Sequence, residues 1–408
     1  MKKEKPLEGI KVADFTWLLA GPIMTRILAD YGAEVIKVES LKRPDDMRAI
    51  PPYKDGKRGI NRAWALNNAN TNKLGVTLDL DNPSGLELAK KIVKRCDIIA
   101  ENFRPGTIKR WGLDYESVKA INPGIIMMSL TGLGQWGPMA KGRFLGIHLQ
   151  AYAGLTYFMG WPDRGPAAVP IPYTDYVTPW WAAIAILSAL SHKKRTGEGR
   201  YIDICQLETA AHFLGPTFLD YAVNNRIQNR QGNQHPYVAP HGSYSCKGDD
   251  RWCAMAIFSD QDWEAFCKAL ENPPWTSDPR FATVTGRKKH EAEIDKYIQE
   301  WTSTQTAEAI MEKLQKAGVD AAVVQNGEDF VDKDPQVKHR QHLVPVQHPE
   351  IGEYLCQQFP FRLSKTPAQY ERPGPCLGEH NEYVSTKILG LSDLQFMEYL
   401  NAGAFGQF

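Results

Sequence analysis

The sequence has no excess of either charge: 48 lysines and arginines stand against 47 aspartates and glutamates in 408 residues. That balance supplies no long-range field to draw the chain to nucleic acid or anionic lipid, so an anionic ligand must be held by local basic groups. No CxxC pair occurs among the seven cysteines, Cys96, Cys205, Cys246, Cys253, Cys267, Cys356 and Cys376. An odd, scattered set argues against a disulfide framework or a zinc site and for reduced, mostly buried thiols. The opening MKKEKPLEGIKVADF is basic but meets Pro6 and Glu8 before any long apolar run. It fits neither a signal peptide nor a membrane span, and a cytoplasmic location is expected. GxxxxGK[ST], HExxH and GxSxG are also missing, which removes P-loop, zincin and serine hydrolase chemistry.

What is present in the first half is an alternation of short apolar strands with helical segments. Ile10 to Phe15 reads as a strand, Gly21-Pro22 opens a helix that Gly32 closes, and EVIKVE from Glu34 to Glu39 is the next strand. Val76 to Leu80 leads through the cap Asn82-Pro83 into the helix GLELAKKIVKRC, then Asp97 to Phe103 and the run from Gly124 are further strands. Strands separated by helices of this length predict parallel βαβ units, so the fold class is α/β, a doubly wound, Rossmann-like large domain. The turn after the first strand, FTWLLAGP, lacks the three glycines of a dinucleotide site, which excludes a nicotinamide dehydrogenase.

Near Gln228 the character changes. YSCKGDDRWCAMAIF predicts a hairpin turning at Gly248-Asp249, followed by helices over Gln261 to Glu271 and Lys288 to Trp301. From Thr304 the pattern is helix, glycine stop and strand, and helices begin again near Glu382 and Ser392. The expected organisation is a large domain over 1–227, a small α+β domain over 228–333, and a return segment over 334–408.

LEGIKVADFTWLLAGP, YGAEVIKVE, NTNKLGVTLDL, ENFRPGTIKRWGLDYE, LTGLGQWGP, PYTDYVTPWWAAIAILSALSHKKRTGEGRYIDICQLE, DPRFATVTGR and LGEHN occur in this order. Together they resemble the class III CoA-transferase family, the formyl-CoA and carnitine type, across nearly the whole chain. By that resemblance Asp175, in PYTDYVTP, is the catalytic carboxylate. Thr178-Pro179 would cap the apolar helix that follows, placing an ionised Asp175 just before its N-terminus. A purely capping Asp175 is the alternative on spacing alone.

The resemblance assigns CoA contacts to Leu18, Leu19, Asn72, Lys73, Leu74, Gly75, Asn102, Arg110 and Arg143, and Lys37 at the end of its strand is a further cation for phosphate. Ser40 stands where formyl-type members carry arginine, so Lys42 or Arg43 would supply that charge. GLGQWGP and QGNQHPYVAPHG are Gly-rich loops suited to a pocket. The second lacks the consecutive glycines of the formyl-type lid, which disfavours formyl and oxalyl substrates and points to Asn233 to Gly242 for water exclusion. His235, His241 and His380 receive no role, although His380 belongs to the LGEHN signature. Trp161, Trp180 and Trp181 would wall a bulky acyl group.

The implied reaction moves CoA from an acyl-CoA to another carboxylic acid through an aspartyl anhydride and an aspartyl-CoA thioester, and requires no metal or redox cofactor. Benzylsuccinate CoA-transferase subunits suggest a bulky dicarboxylic acceptor with succinyl-CoA as donor. Partners are then these substrates and a second chain, in an interlocked homodimer or a heteromer with a homologue, with neither nucleic acid nor membrane. The rivals are an acyl-CoA racemase, whose histidine position falls on Leu145, with His148 three residues away, and a subunit active only beside a homologous partner.

Overall fold

The computed structural model describes residues 5–406. In chain order, β1 (Lys11–Asp14), α1 (Ala20–Asp30), β2 (Glu34–Glu39), a short α2 (Trp64–Asn68), β3 (Leu74–Thr77), α3 (Pro83–Arg95), β4 (Ile98–Glu101), α4 (Tyr115–Ile121) and β5 (Ile126–Thr131) repeat the strand-helix grammar. Helices α5 (Gly146–Tyr152), α6 (Leu155–Phe158) and α7 (Tyr173–Thr196) precede β6 (Tyr201–Cys205), which runs straight into α8 (Gln206–His212) and α9 (Gly215–Asn224). Local chemistry sets several boundaries: Asn82 accepts from the Ser84 N–H with Pro83 in the first turn of α3, satisfying an otherwise orphaned donor.

The six strands form one parallel sheet in the order β3-β2-β1-β4-β5-β6. Because side chains alternate across a strand, Val12, Val35, Ile98, Ile126 and Met128 bury against α1 and α7 on one face. Their neighbours Ala13, Ile36, Ile99, Ile125 and Met127 bury on the other, with Leu88, Ile92 and Val118 of α3 and α4. Both faces are covered, which is why the inner strands bury nearly every residue, apolar or charged, rather than alternating buried with exposed.

By contacts the chain divides into two compact units. The first holds residues up to Thr156, Ala168–Arg226 and the chain from Arg340; the second holds Tyr157–Ala167 and Ile227–His339. Against the expected segments, the second unit therefore takes an extra piece of chain before α7 and runs six residues further, to His339. Within it, β7 (His241–Ser245), β8 (Trp252–Ala256) and β9 (Asp320–Val323) make an antiparallel sheet. Helices α10 (Asp260–Ala269), α11 (Val284–Lys289), α12 (Glu291–Thr302), α13 (Ala307–Lys316) and α14 (Pro335–His339) complete it. Its own core contains Tyr244, Met255, Trp263, Phe266, Ile294 and Leu314.

The return segment forms a hairpin, β10 (Leu343–His348) with β11 (Gly352–Gln357), then α15 (Asn381–Tyr383) and α16 (Asp393–Asn401). Neither β6 nor this hairpin is anticipated by the sequence reading. Val384, Ile388, Ala404 and Phe405 close the α3 face of the large sheet. The LGEHN signature acquires a role here. His380 donates its backbone N–H to the Gly75 carbonyl at 2.8 Å and accepts the Gly75 N–H on Nδ1 at 3.2 Å. Asn381 accepts the Thr77 N–H at 2.8 Å. These bonds satisfy the otherwise open edge of β3, the group of donors and acceptors that an exposed strand would offer to another chain.

No helix among the described residues is long and apolar enough to cross a membrane. A Cβ on Gly75 would lie 2.8 Å from Pro375 Cβ, so Gly75→Ala should lower stability by about 1–3 kcal/mol through overpacking. Urea denaturation checks this, and an unchanged midpoint would remove the close approach from the account.

Candidate functional site

In an open parallel sheet a ligand crevice forms outside the carboxyl ends of the strands where the strand order reverses. Here that point lies between β1 and β4. A cavity of about 480 Å³ sits there, lined by Leu18, Leu19, Asn102, Arg104, Thr131, Arg143, His148, Asp175 and Gln206 among others, all from the first unit. The ionisable lining comprises two guanidinium groups, Arg104 and Arg143, one imidazole and a single carboxylate, a balance that favours an anionic ligand.

Asp175 sits in the first turn of α7, which begins at Tyr173 rather than at the expected Thr178-Pro179 cap. Pro179 lies inside the helix, where it lacks the N–H that would reach the Asp175 carbonyl four residues back. Gln206 Nε2–H donates to Asp175 Oδ1 at 2.7 Å. Burial pushes the Asp175 carboxyl up to about 6, with the Gln206 bond opposing the shift. Desolvation thus works against the ionised form expected of a carboxylate at a helix N-terminus.

The expected CoA contacts divide into two groups. Leu18, Leu19, Asn102 and Arg143 line the cavity with Asp175. Asn102 accepts the Trp17 N–H and donates to the Trp17 carbonyl, both at 2.8 Å, tying the ends of β1 and β4 together. Leu18 holds a left-handed backbone, φ 63°, with its N–H on Asp45 Oδ1 at 2.9 Å, a strained conformation for a branched side chain.

The other group lies away from the cavity lining. Lys37 is fully buried, with Nζ on the Thr16 carbonyl at 2.9 Å and on Asp45 Oδ2 at 3.0 Å. Lys73 is equally buried and donates to Asp14, the Pro22 carbonyl, Thr25 and Asn70. Both ammonium groups are held by acceptors inside the fold. Asn72 binds Asp30 and the Gln369 carbonyl, and accepts the N–H groups of Glu371 and Arg372. With Leu74 buried in β3 and Gly75 against the return segment, the NKLG stretch is a docking edge. Arg110 is exposed, its guanidinium 5.7 Å from the Trp111 ring. Of the substitutes for the missing charge at Ser40, Lys42 pairs with Asp79 at 2.6 Å and Arg43 stands over Trp17.

The tryptophan wall does not form in this cavity. Trp180 packs edge-on against Phe359 and Phe361, Trp181 against His212, and Trp161 belongs to the second unit. Asn233 to Gly242, with His235 and His241, also lies in the second unit. Gln206, Arg104 and His148 line the cavity without a role from the sequence. Gln206 and Arg104 lie inside segments that carry the family resemblance, yet nothing in their spacing marks them. His148 is three residues from the racemase position at Leu145, which is nearly one helical turn, and both line the cavity. Its Nδ1 accepts the Leu145 N–H at 3.2 Å, which leaves the neutral ring with its proton on Nε2.

Comparison with known proteins gives the family. The family model described as CoA-transferase family III matches residues 7–381. The chain is 35% identical over 389 residues to a succinyl-CoA--D-citramalate CoA-transferase of Chloroflexus aurantiacus, covering 95% of each. It is 31% identical to the beta subunit of a succinyl-CoA--L-malate CoA-transferase of the same organism, covering 96% of each. The crystal structure of a CAIB/BAIF family protein from Brucella suis superposes with a TM-score of 0.86 at 31% identity, over 95% of this chain and 100% of that one.

Two outcomes separate the groups of residues. Arg143→Ala should weaken CoA-thioester binding about tenfold to a hundredfold, the worth of a charged hydrogen bond, at unchanged stability. Lys37→Met should instead lower stability by about 3–5 kcal/mol by stranding Asp45; titration calorimetry and denaturation distinguish them. Asp175 gives the third. A carboxyl whose folded pKa is raised favours the folded state most when protonated, and that advantage is lost as pH rises toward 6. Asp175→Asn should therefore exceed wild type in Tm above pH 6 and match it near pH 4.

Proposed function

Because the chain belongs to CoA-transferase family III, we propose that it moves CoA from succinyl-CoA to a second dicarboxylic acid, with Asp175 as covalent nucleophile. The observation that carries this reading is the single carboxylate in a cation-lined cavity at the switch point of the sheet. An Asp175 oxygen adds to the thioester carbonyl, the C–S bond breaks, and CoA leaves as thiolate from a mixed anhydride. The thiolate adds to the Asp175 carbonyl carbon, the anhydride C–O bond breaks, and the donor acid departs from an aspartyl-CoA thioester. The acceptor carboxylate runs the two steps in reverse. No step consumes water, so the anhydride must be kept dry.

Succinyl-CoA as donor follows the named activities of the two relatives, whose acceptors, citramalate and malate, are short hydroxydicarboxylic acids. Arg104 and Arg143 suit such acids, one holding the carboxylate that does not react. Benzylsuccinate shares the two carboxylates, but the tryptophans that argued for a bulky acyl group do not line the cavity, so we place the acceptor among short dicarboxylic acids. A racemase is disfavoured by His148: with Nδ1 accepting a backbone N–H, its Nε2 already carries a proton and cannot act as base.

An interlocked dimer, with itself or a homologue, fits the surface. Helix α9 has no buried residue, and its Leu219 and Val223 are 65% and 77% exposed, more apolar surface than a monomer leaves uncovered without cause. One of the relatives is itself a subunit. Sedimentation at assay concentration should give a dimer; an active monomer contradicts it.

The experiment that tests the reaction mixes succinyl-CoA with malate, citramalate, benzylsuccinate and formate and reads CoA esters by mass spectrometry. Short dicarboxylates should lead in kcat/KM, with activity declining below about pH 6 as Asp175 protonates. Asp175→Asn should lose several orders of magnitude in turnover. Transfer by that variant at near-native rate would end the proposal.

A further inference from the structure

The two oxygens of Asp175 are not equivalent. Oδ1 accepts from Gln206 Nε2–H at 2.7 Å. Oδ2 has no hydrogen bond to any described residue, and a Cβ on Gly146 would come within 2.9 Å of it, so the bare Gly146 leaves the space beside it open. Gln206 itself is 6% exposed. Its backbone is fixed because β6 passes directly into α8 and the next residue, Leu207, donates its N–H to the Gly132 carbonyl at 3.0 Å. A buried amide donor held on rigid elements costs no reorganisation at the moment of reaction.

We propose that Gln206 is a catalytic residue of the transfer: its Nε2–H is the donor for the oxyanion that forms on Asp175 Oδ1, while Oδ2 is the oxygen that attacks. This rests on the reading of Asp175 as nucleophile. In the first step Oδ2 bonds to the acyl carbon, the C–S bond breaks and the thiolate keeps its electron pair. Oδ1 is then the carbonyl oxygen of the aspartyl half of the anhydride. In the second step the thiolate bonds to Asp175 Cγ, the carbonyl electrons move onto Oδ1, and their return expels the donor carboxylate with Oδ2. Negative charge is thus greatest on Oδ1 when the thioester forms. The same contact repeats when the acceptor acid attacks that thioester.

Gln206→Met removes the donor at similar length. Single-turnover mixing with succinyl-CoA, quenched and digested, follows the aspartyl-CoA thioester, which hydroxylamine converts to a hydroxamate in the peptide around PYTDYV, while a thiol reagent follows free CoA. We expect thioester formation to slow by about a hundredfold or more, the usual loss for one oxyanion donor, with KM for succinyl-CoA within about threefold. A donor serving only as a packing group would move neither rate selectively. If Gln206→Met does not fold, Gln206→Leu, of similar size and also without a donor, is measured and should show the same loss. Wild-type rates of thioester formation in the folded variant overturn the assignment. A wild-type enzyme that gives no adduct on Asp175 overturns the reading of the reaction instead, so the two failures are distinct.

Discussion

Beneath the turn that joins β1 to α1, Asp14 meets Lys73 at 2.9 Å and Lys37 meets Asp45 at 3.0 Å, with no side chain of the four exposed. Removing four charges from water costs several kcal/mol per ion, and is sustainable only when the remaining donors and acceptors are met. They are. Thr16 and Thr25 donate to Asp14, the Thr16 and Pro22 carbonyls accept from the lysines, and Asn70 completes the shell of Lys73. Burial would raise the Asp14 carboxyl, yet Lys73, then Lys37 and the two threonines, hold it below its ordinary value. Asp45 then hands this order to the cavity, because its second oxygen holds the Leu18 N–H and so fixes the strained turn.

Seen from the cavity, the network explains how a neutral protein can present a basic site. The lysines that look available are tied inside the fold, and the arginines that remain at the lining answer to one carboxylate. Asp175 sits on a different element, α7, and is tuned by burial and one amide rather than by an ion pair. Rigidity and titration thus rest on separate groups: the ion pairs set the shape of the floor, and Asp175 is left only weakly restrained.

How far the sequence revealed this depended on what kind of signal each residue carries. β2 was legible to the residue because EVIKVE carries Val, Ile and Val in an extended run that follows the Gly32 stop, and α3 because Asn82-Pro83 is a cap with a mechanism. β6, YIDIC, is five residues in length and reads as the tail of a basic loop; only pairing with β5 makes it a strand. Asp175 and the lining residues Leu18, Asn102 and Arg143 emerged through family likeness, not spacing. The buried partners of Lys37 and Lys73 were not legible, because a lysine in sequence looks the same whether its ammonium meets a ligand or a buried aspartate. Gln206 lies in a segment that carries the resemblance but drew no attention, since an amide shows nothing until a distant helix places a carboxylate beside it.

The edge of β3 is closed by residues from Arg372 to Asn381, whereas every residue lining the cavity lies between Leu18 and Gln206. During synthesis the ribosome therefore delivers the whole cavity lining long before the segment that seals the sheet beside it. Until the last tenth of the chain emerges, β3 presents unpaired backbone groups, the kind of edge on which nascent chains pair wrongly. The second unit, with its own core, comes out in the interval. A stop codon or pause placed just before the return segment would thus leave a chain with the full cavity lining and an open edge, a candidate for chaperone capture rather than a slightly shorter enzyme.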